Sequence, residues 1–485
     1  MKVNLVTINK MLKKENIFFL VSFIILSLSS SLRHYWFHSS SWDLGIFDQA
    51  IYLISQGQEP HSTLLGFHIL GDHGAIVLYP LGLLYKIFSS TYFLFLVQGF
   101  AFSVSIYPLS RLSKNLNLSN LSTSTSYLAF LLYPIIFNVN IFDFHPEVLS
   151  FPIVLDLFIS FKEKTIVSFW KIFIKIFFIL SCKITNSFLV FGFGIWLILK
   201  GFLKFGSLLI SISFLWFFLV AFILIPHFGG QDASILRQAG KFGLNQNLNV
   251  DLFYAFKIIY QLFLQLFSIS NLEYLILLFL PVFYLLFNKK RLIILSNFIP
   301  FLPLLFVNLI SDSFPMKNLV HQYSLFFVPF LAVSIQESLS LVSIQGVLNY
   351  PKWFQLRSNY FIIFWSVLIF LIFSRFTYYL GPFHSHFESS EARREAISLV
   401  KDTSSVLTTS DIVPHLSKRK NIKFLNSEEV FNEKDFDEIL LDIEKPGWKS
   451  NSELVDNIYE NLESNNNWGK VYEKNNIVLF VRLDS

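Results

Sequence analysis

Cysteine occurs once in 485 residues, at Cys182. That excludes an internal disulfide framework and any Cys-based zinc site; a buried, inert thiol is the plain reading. Charge is scarce too. Only 15% of residues are Asp, Glu, Lys or Arg, against about 25% in an average soluble domain. The C-terminal region has neither a G-x-G-x-x-G sequence nor a P-loop, which argues against nucleotide binding there. No internal repeat and no low-complexity tract organises the chain.

Apolar runs fill the gap. They recur from Ile17 to Leu380, and the mean hydropathy is +0.54. This predicts an all-α polytopic membrane domain over residues 1–382. The first apolar segment, Ile17 to Ser31, follows Lys2, Lys10, Lys13 and Lys14. Arg33-His34 comes directly after it and no A-x-A-like site does, so we read an uncleaved helix with a cytoplasmic N-terminus. Further helices are expected near 91–110, 122–140, 147–161, 168–182, 186–200, 205–226, 272–287, 292–310, 321–340 and 359–379, giving about eleven spans. Ala75 to Phe88 and Leu252 to Phe267 fit as interfacial helices, because counting either as a span inverts the sign of the loops that follow. Two large external loops, 34–90 and 227–267, result.

The formal charge of +5 conceals an asymmetry. Residues 383–485 carry 13 basic and 19 acidic residues, a net −6 that leaves +11 for the rest. A pI of 8.9 therefore reports basic cytoplasmic loops and is no sign of a nucleic-acid partner. In the tail, Glu388–Asp402 and Glu453–Leu462 read as helices. Ser405–Thr408, Ile422–Leu425 and Ile439–Ile443 read as strands, and Val471–Arg482 as a hairpin turning at Asn475-Asn476. The expectation is a small extracytoplasmic α/β domain.

Ionisable residues at the hydrocarbon edge are costly and mark candidate sites. Phe142-Asp143-Phe144-His145-Pro146-Glu147 divides two apolar runs. Asp43 and Asp48 follow the first helix, Asp72-His73 precede the first interfacial helix, and Lys183 lies between the fifth and sixth spans. Lys317, His321 and Tyr323 precede or open the tenth. On this topology all reach the outer face. A partly desolvated carboxylate there suits a general base. Lys183, Lys317, Arg237 or Lys241 suits a lipid-linked phosphate. Asp143 and His145 are also candidates for a divalent metal, at a spacing that is not diagnostic. Capping or solvated carboxylates, a snorkelling lysine and interfacial belt residues are the plain alternatives.

These strings resemble a family of bacterial multi-pass membrane proteins, domain of unknown function 2079. The resemblance rests on Asp43-Leu44-Gly45-Ile46-Phe47-Asp48-Gln49, Gly71-Asp72-His73, Leu132-Tyr133-Pro134, the Phe142–Glu147 string, His321-Gln322-Tyr323-Ser324 and Pro414-His415-Leu416-Ser417-Lys418-Arg419. That family is similar in architecture to the GT-C glycosyltransferases. The similarity implies transfer of a sugar from a polyprenyl-phosphate carrier to an acceptor in the cell envelope, at the outer face of the bacterial inner membrane. It implies Asp43 as the catalytic carboxylate, with Asp48 beside it. Asp72, His73, Asp143, His145, Glu147, Lys183, Lys317, His321 and Tyr323 would bind substrate. One departure stands out: the family tends to have an acidic residue after the lysine of the fifth span, and here Lys183 is followed by Ile184-Thr185-Asn186. A transporter or lipid flippase would instead need ionisable groups near the bilayer midplane. A non-catalytic scaffold would tolerate loss of the external acids.

Overall fold

The computed structural model describes residues 13–163, 168–229, 260–288, 290–342, 352–426 and 431–483. Arg237, Lys241 and most of the second large loop lie outside the described residues.

Helices occupy each of the eleven apolar stretches, but most are shorter than a bilayer requires. A span needs about 20 residues. By length and composition five described helices qualify, or six if the bent pair Asn120–Leu131 and Pro134–Phe142 counts as one. The expected count of eleven is therefore not reached by single helices. Proline is a principal reason. Pro134 begins a new helix after extended Tyr133, and the pair is bent by 42°. Pro146 and Pro152 open a short 3₁₀ turn and the helix Phe151–Lys162. The expected helix at 321–340 starts only at Phe327, after a 3₁₀ turn at Gln322–Ser324.

The helices Asn186–Leu199 and Leu203–Leu219 form a tight hairpin. A Cβ on Gly194 would lie 2.7 Å from the Gly206 carbonyl oxygen, and one on Gly206 2.6 Å from that of Gly194. Only glycine permits this approach of two backbones.

After the first helix, Lys14–Tyr35, the chain enters a π-helical turn, Ser41–Gly45, and the helix Ile46–Ser55. A two-residue hairpin of β1 (His61–Ser62) and β2 (Phe67–His68) follows. Next come the short helices Leu70–His73 and Leu78–Tyr85. Leu83, Leu84, Ile87 and Phe88 stand exposed here, as a helix lying in a membrane interface requires.

The tail forms one mixed sheet from β3 (Val406–Thr408), β4 (Ile422–Phe424), β5 (Glu438–Asp442), β6 (Trp468–Lys474) and β7 (Ile477–Arg482), in the order β4-β3-β5-β7-β6. β3 runs parallel to β4 and β5, whereas β7 is antiparallel to β5 and β6. Asn475 and Asn476, with φ of 49° and 62°, make the β6–β7 turn, the backbone a two-residue hairpin needs. Alternate residues face opposite ways. Leu407, Ile439, Leu441, Val478 and Phe480 pack with the helix Ser452–Ser464. Val406, Leu440, Ile477 and Leu479 share a core with Ala392 and Ala396 and with Leu44, Ile46, Ala50 and Ile51 of the first loop. Each fully buried aliphatic side chain contributes roughly 1.5–3 kcal/mol. The tail is thus fixed onto the first loop by a continuous apolar interface.

Candidate functional site

Asp143 organises the site. It ends the helix Pro134–Phe142 at φ 130°, a conformation that non-glycine residues avoid. Such strain costs on the order of 1–3 kcal/mol and persists only where surroundings impose it. Arg33 Nη1 donates to Asp143 Oδ1 at 2.6 Å, and the Ser40 N–H donates to Oδ2 at 2.8 Å. Gln98 Nε2 donates to the Asp143 carbonyl at 2.8 Å, while Gln98 Oε1 accepts the His145 N–H at 3.0 Å. Arg33 and Asp143 thereby tie the end of the first helix and the following loop to the Phe142–Glu147 string.

That tie brings Asp43 opposite His145, with Asp43 Oδ1 3.7 Å from His145 Nε2. His145 Nδ1 lies 3.2 Å from the Asp143 carbonyl oxygen. A carbonyl only accepts, which assigns the proton to Nδ1 and leaves a lone pair on Nε2. Nε2 is buried with no hydrogen-bond partner. Burial lowers the imidazole pKa to about 4 against the pull of Glu147, so the ring is neutral at pH 7. Asp43 moves the other way. Burial, with the carboxylates Asp143, Glu147 and Asp72, pushes it up to about 7, while Lys183 opposes. Its side chain is 27% exposed, so the carboxyl is open to a reactant.

Lys183 follows the helix Phe169–Cys182 in extended conformation. Its Nζ pairs with Glu147 Oε1 at 2.5 Å and sits 5.4 Å from the Tyr323 ring centre. Burial opposes the charge, yet the pairing with Glu147 prevails, holding Lys183 above its ordinary value. One ammonium hydrogen serves Glu147 and two remain for another acceptor. Backbone bonds from Val77 N–H to the Ser181 carbonyl and from Ile184 N–H to the His73 carbonyl, both 3.1 Å, hold the Asp72-His73 turn beside this lysine. His73 Nδ1 in turn lies 2.5 Å from Asp72 Oδ2.

Glu147, Lys183, Asn186, Asn308, Gln322 and Tyr323, together with Leu304, Val307, Met316 and Phe326, line a small cavity of about 20 Å³. Val307 also borders an apolar groove of about 620 Å³ between the helices Asn186–Leu199, Leu203–Leu219 and Leu302–Ile310, walled by Phe188, Phe191, Phe214, Phe217 and Phe306. The small cavity that holds Lys183 is therefore a neighbour of the apolar groove, with Val307 common to both.

The remaining residues fall differently. His321 bonds to Asn318 Oδ1 at 3.0 Å and packs edge-on against Phe142, near His145. Lys317 is not brought into the group: it ends the 3₁₀ turn Phe314–Lys317, and its charged neighbour is Asp312. Asp48 is fully buried and accepts from Tyr85 Oη (2.7 Å), Thr91 Oγ1 (3.1 Å) and Ser417 Oγ (2.6 Å). It joins the tail to the first loop and presents no oxygen to a substrate. For a metal, Asp143 is a poor ligand because both its oxygens are already engaged. Among the described residues no group of three or more His, Cys, Asp or Glu converges to hold an ion. Sequence reasoning gave no role to Arg33, whose only signal was a charge at the end of an apolar helix. It also missed the tail's contacts with the loop.

Among solved structures sharing this fold is ArnT from Cupriavidus metallidurans bound to undecaprenyl phosphate, with a TM-score of 0.57 and 10% identity, covering 97% of this chain and 98% of that one. The apo state of the same protein gives 0.52 and 10% identity, covering 95% and 98%. These likenesses show that the chain shares the fold of that protein over nearly its whole length. No curated protein sequence matches the chain. A family model described as predicted membrane protein (DUF2079) matches residues 33–479, and the chain belongs to that family.

Proposed function

We propose that this protein is a membrane glycosyltransferase that moves a sugar from a polyprenyl-phosphate carrier to an acceptor in the cell envelope. The reading rests above all on one juxtaposition: Asp43 with the lone pair of His145, near a buried lysine whose cavity shares Val307 with an apolar groove. The groove suits an isoprenoid chain, which is apolar and flexible. Lys183 suits the phosphate, whose negative charge grows as it leaves. Fold likeness to a protein crystallised with undecaprenyl phosphate supports the same carrier class.

In the reaction, an acceptor hydroxyl oxygen attacks the anomeric carbon. The bond from that carbon to the phosphate oxygen breaks, and the carrier phosphate departs with the electron pair toward Lys183. The hydroxyl proton passes to Asp43, whose raised pKa makes it a competent base near neutrality. His145 Nε2, acceptor only, can take a hydrogen bond from the protonated carboxyl and orient it, and the proton then leaves to solvent from the exposed face of Asp43. Tyr323 lines the Lys183 cavity, His321 packs on Phe142 beside His145, and Asp48 anchors the tail.

The topology that goes with this reading has a cytoplasmic N-terminus, about eleven membrane passes including the short helices, and an extracytoplasmic tail from residue 383. Purified protein is incubated with radiolabelled polyprenyl-phosphate monosaccharides and envelope extract. Label should move from the lipid phase to the acceptor fraction with wild type and stay in the lipid with Asp43→Ala. Transfer by Asp43→Ala at the wild-type rate overturns the assignment.

A further inference from the structure

Trp42 immediately precedes Asp43 in the chain, so its Cα lies about 3.8 Å from that of the proposed base. Across from it stands a tail loop carrying Trp448 and Lys449. Lys449 Nζ sits 5.4 Å from the Trp42 ring centre and 4.5 Å from that of Trp448. The Trp448 side is open: the residue is 69% exposed. An exposed indole is costly, since it is among the largest apolar surfaces a residue can present. Lys449 is half-buried and has no ion pair among the described residues, and there the two ring faces offset its charge.

The loop is built to hold this position. Ser450 Oγ accepts the Ser410 N–H at 2.9 Å, and Ser410 Oγ meets Ser41 Oγ at 3.1 Å. Gly447, at φ +93°, packs against Asp411, where a Cβ would collide with the carboxylate. Asp411 interacts electrostatically with Asp143 and Arg33. The two indoles and the lysine are therefore fixed with respect to the catalytic loop by hydrogen bonds on both sides of the junction.

We propose that Trp42, Trp448 and Lys449 form the acceptor-binding platform of the site, and that the acceptor is an anionic saccharide. The C–H bonds on one face of a sugar ring carry partial positive charge and stack on the negative face of an indole. An ammonium between the rings, with no ion pair among the described residues, adds selection for a carboxylate- or phosphate-bearing sugar. It also offsets the repulsion such a ligand meets from Asp43, Asp72 and Glu147. The platform rests on the transferase reading for its role as acceptor site, and on its own geometry for saccharide binding.

The full chain in nanodiscs is titrated with trigalacturonate, a mannotriose 6-phosphate and neutral galactotriose, using saturation-transfer NMR and tryptophan fluorescence. Polyprenyl-phosphate retention is measured in the same samples by native mass spectrometry. At least one anionic sugar should bind at least tenfold more tightly than the neutral one. Trp448→Ala should weaken it at least tenfold, and Lys449→Gln should remove the preference for charge. Because Trp448 is exposed, Trp448→Ala is expected to fold, and an unchanged far-UV spectrum checks this. No binding of either anionic sugar, or wild-type binding by both variants, overturns the platform. Trp448-dependent saccharide binding without carrier retention sinks the transferase reading and leaves the platform standing.

Discussion

Replacing Asp43 by Asn should abolish transfer and stabilise the fold, with the gain confined to neutral and alkaline pH. In the folded protein this carboxyl titrates at about 7 instead of 3.8, because burial and the carboxylates around it oppose its charge. The folded state therefore keeps a proton that the unfolded chain has released. Wild-type stability is at its fullest below about pH 4 and is lost as pH rises through about 7. A shift of that size corresponds to about 4 kcal/mol when ionisation is complete. Solvent screening of a side chain 27% exposed reduces this to about 2 kcal/mol. Asn carries no charge, so Asp43→Asn escapes the loss and also relieves Asp143 and Glu147. The assay is thermal unfolding in detergent followed by tryptophan fluorescence. The apparent Tm of the variant should exceed wild type by about 2–4 °C at pH 8 and match it near pH 4. A variant that is less stable at pH 8, or equally stabilised at both pH values, refutes the electrostatic reasoning.

Other perturbations test neighbouring parts of the account. Lys183→Met should lower carrier retention more than tenfold and leave Glu147 buried without its partner; Lys183→Met/Glu147→Gln should recover thermal stability but not retention, as native mass spectrometry and unfolding scans together would reveal. Arg33→Met strands the buried Asp143 carboxylate and should cost about 3–5 kcal/mol, part of which returns in Arg33→Met/Asp143→Asn; equal stability of the two variants would deny the pair its organising role. Asp48→Ala deprives the buried Tyr85 and Thr91 hydroxyls of their acceptor and leaves Ser417 only the Pro414 carbonyl; it should cost roughly 2–4 kcal/mol, read out as faster proteolysis of the tail. Leu305→Trp, which narrows the apolar groove, should discriminate against long carriers while short-chain analogues still bind; equal loss of both lengths contradicts the groove's role.

Much of this was written in local patterns. Apolar run length marked the helical stretches, and proline marked where they break. In the tail, alternation with Asn475-Asn476 at the turn was enough to locate both strands of the hairpin. The grouping of Asp43, Asp72, Asp143, His145, Glu147 and Lys183 was foreseeable because charges at helix ends are costly and needed a shared polar environment. What remained hidden depends on long-range contacts. Arg33 and Asp143 are 110 positions apart, and Asp48 and Ser417 are 369 apart. Nothing local distinguishes Asp48, an anchor, from Asp43, an open carboxyl, five residues earlier. Likewise Trp448 and Lys449 read as ordinary loop residues until the tail is folded onto Trp42.

The most direct test of the central claim is native mass spectrometry of the purified protein exposed to polyprenyl-phosphates and their monosaccharide derivatives, wild type beside Lys183→Met. The account predicts that wild type selectively retains a sugar-loaded carrier and that the variant does not. A monodisperse, folded wild-type protein that retains no polyprenyl-phosphate species would contradict it.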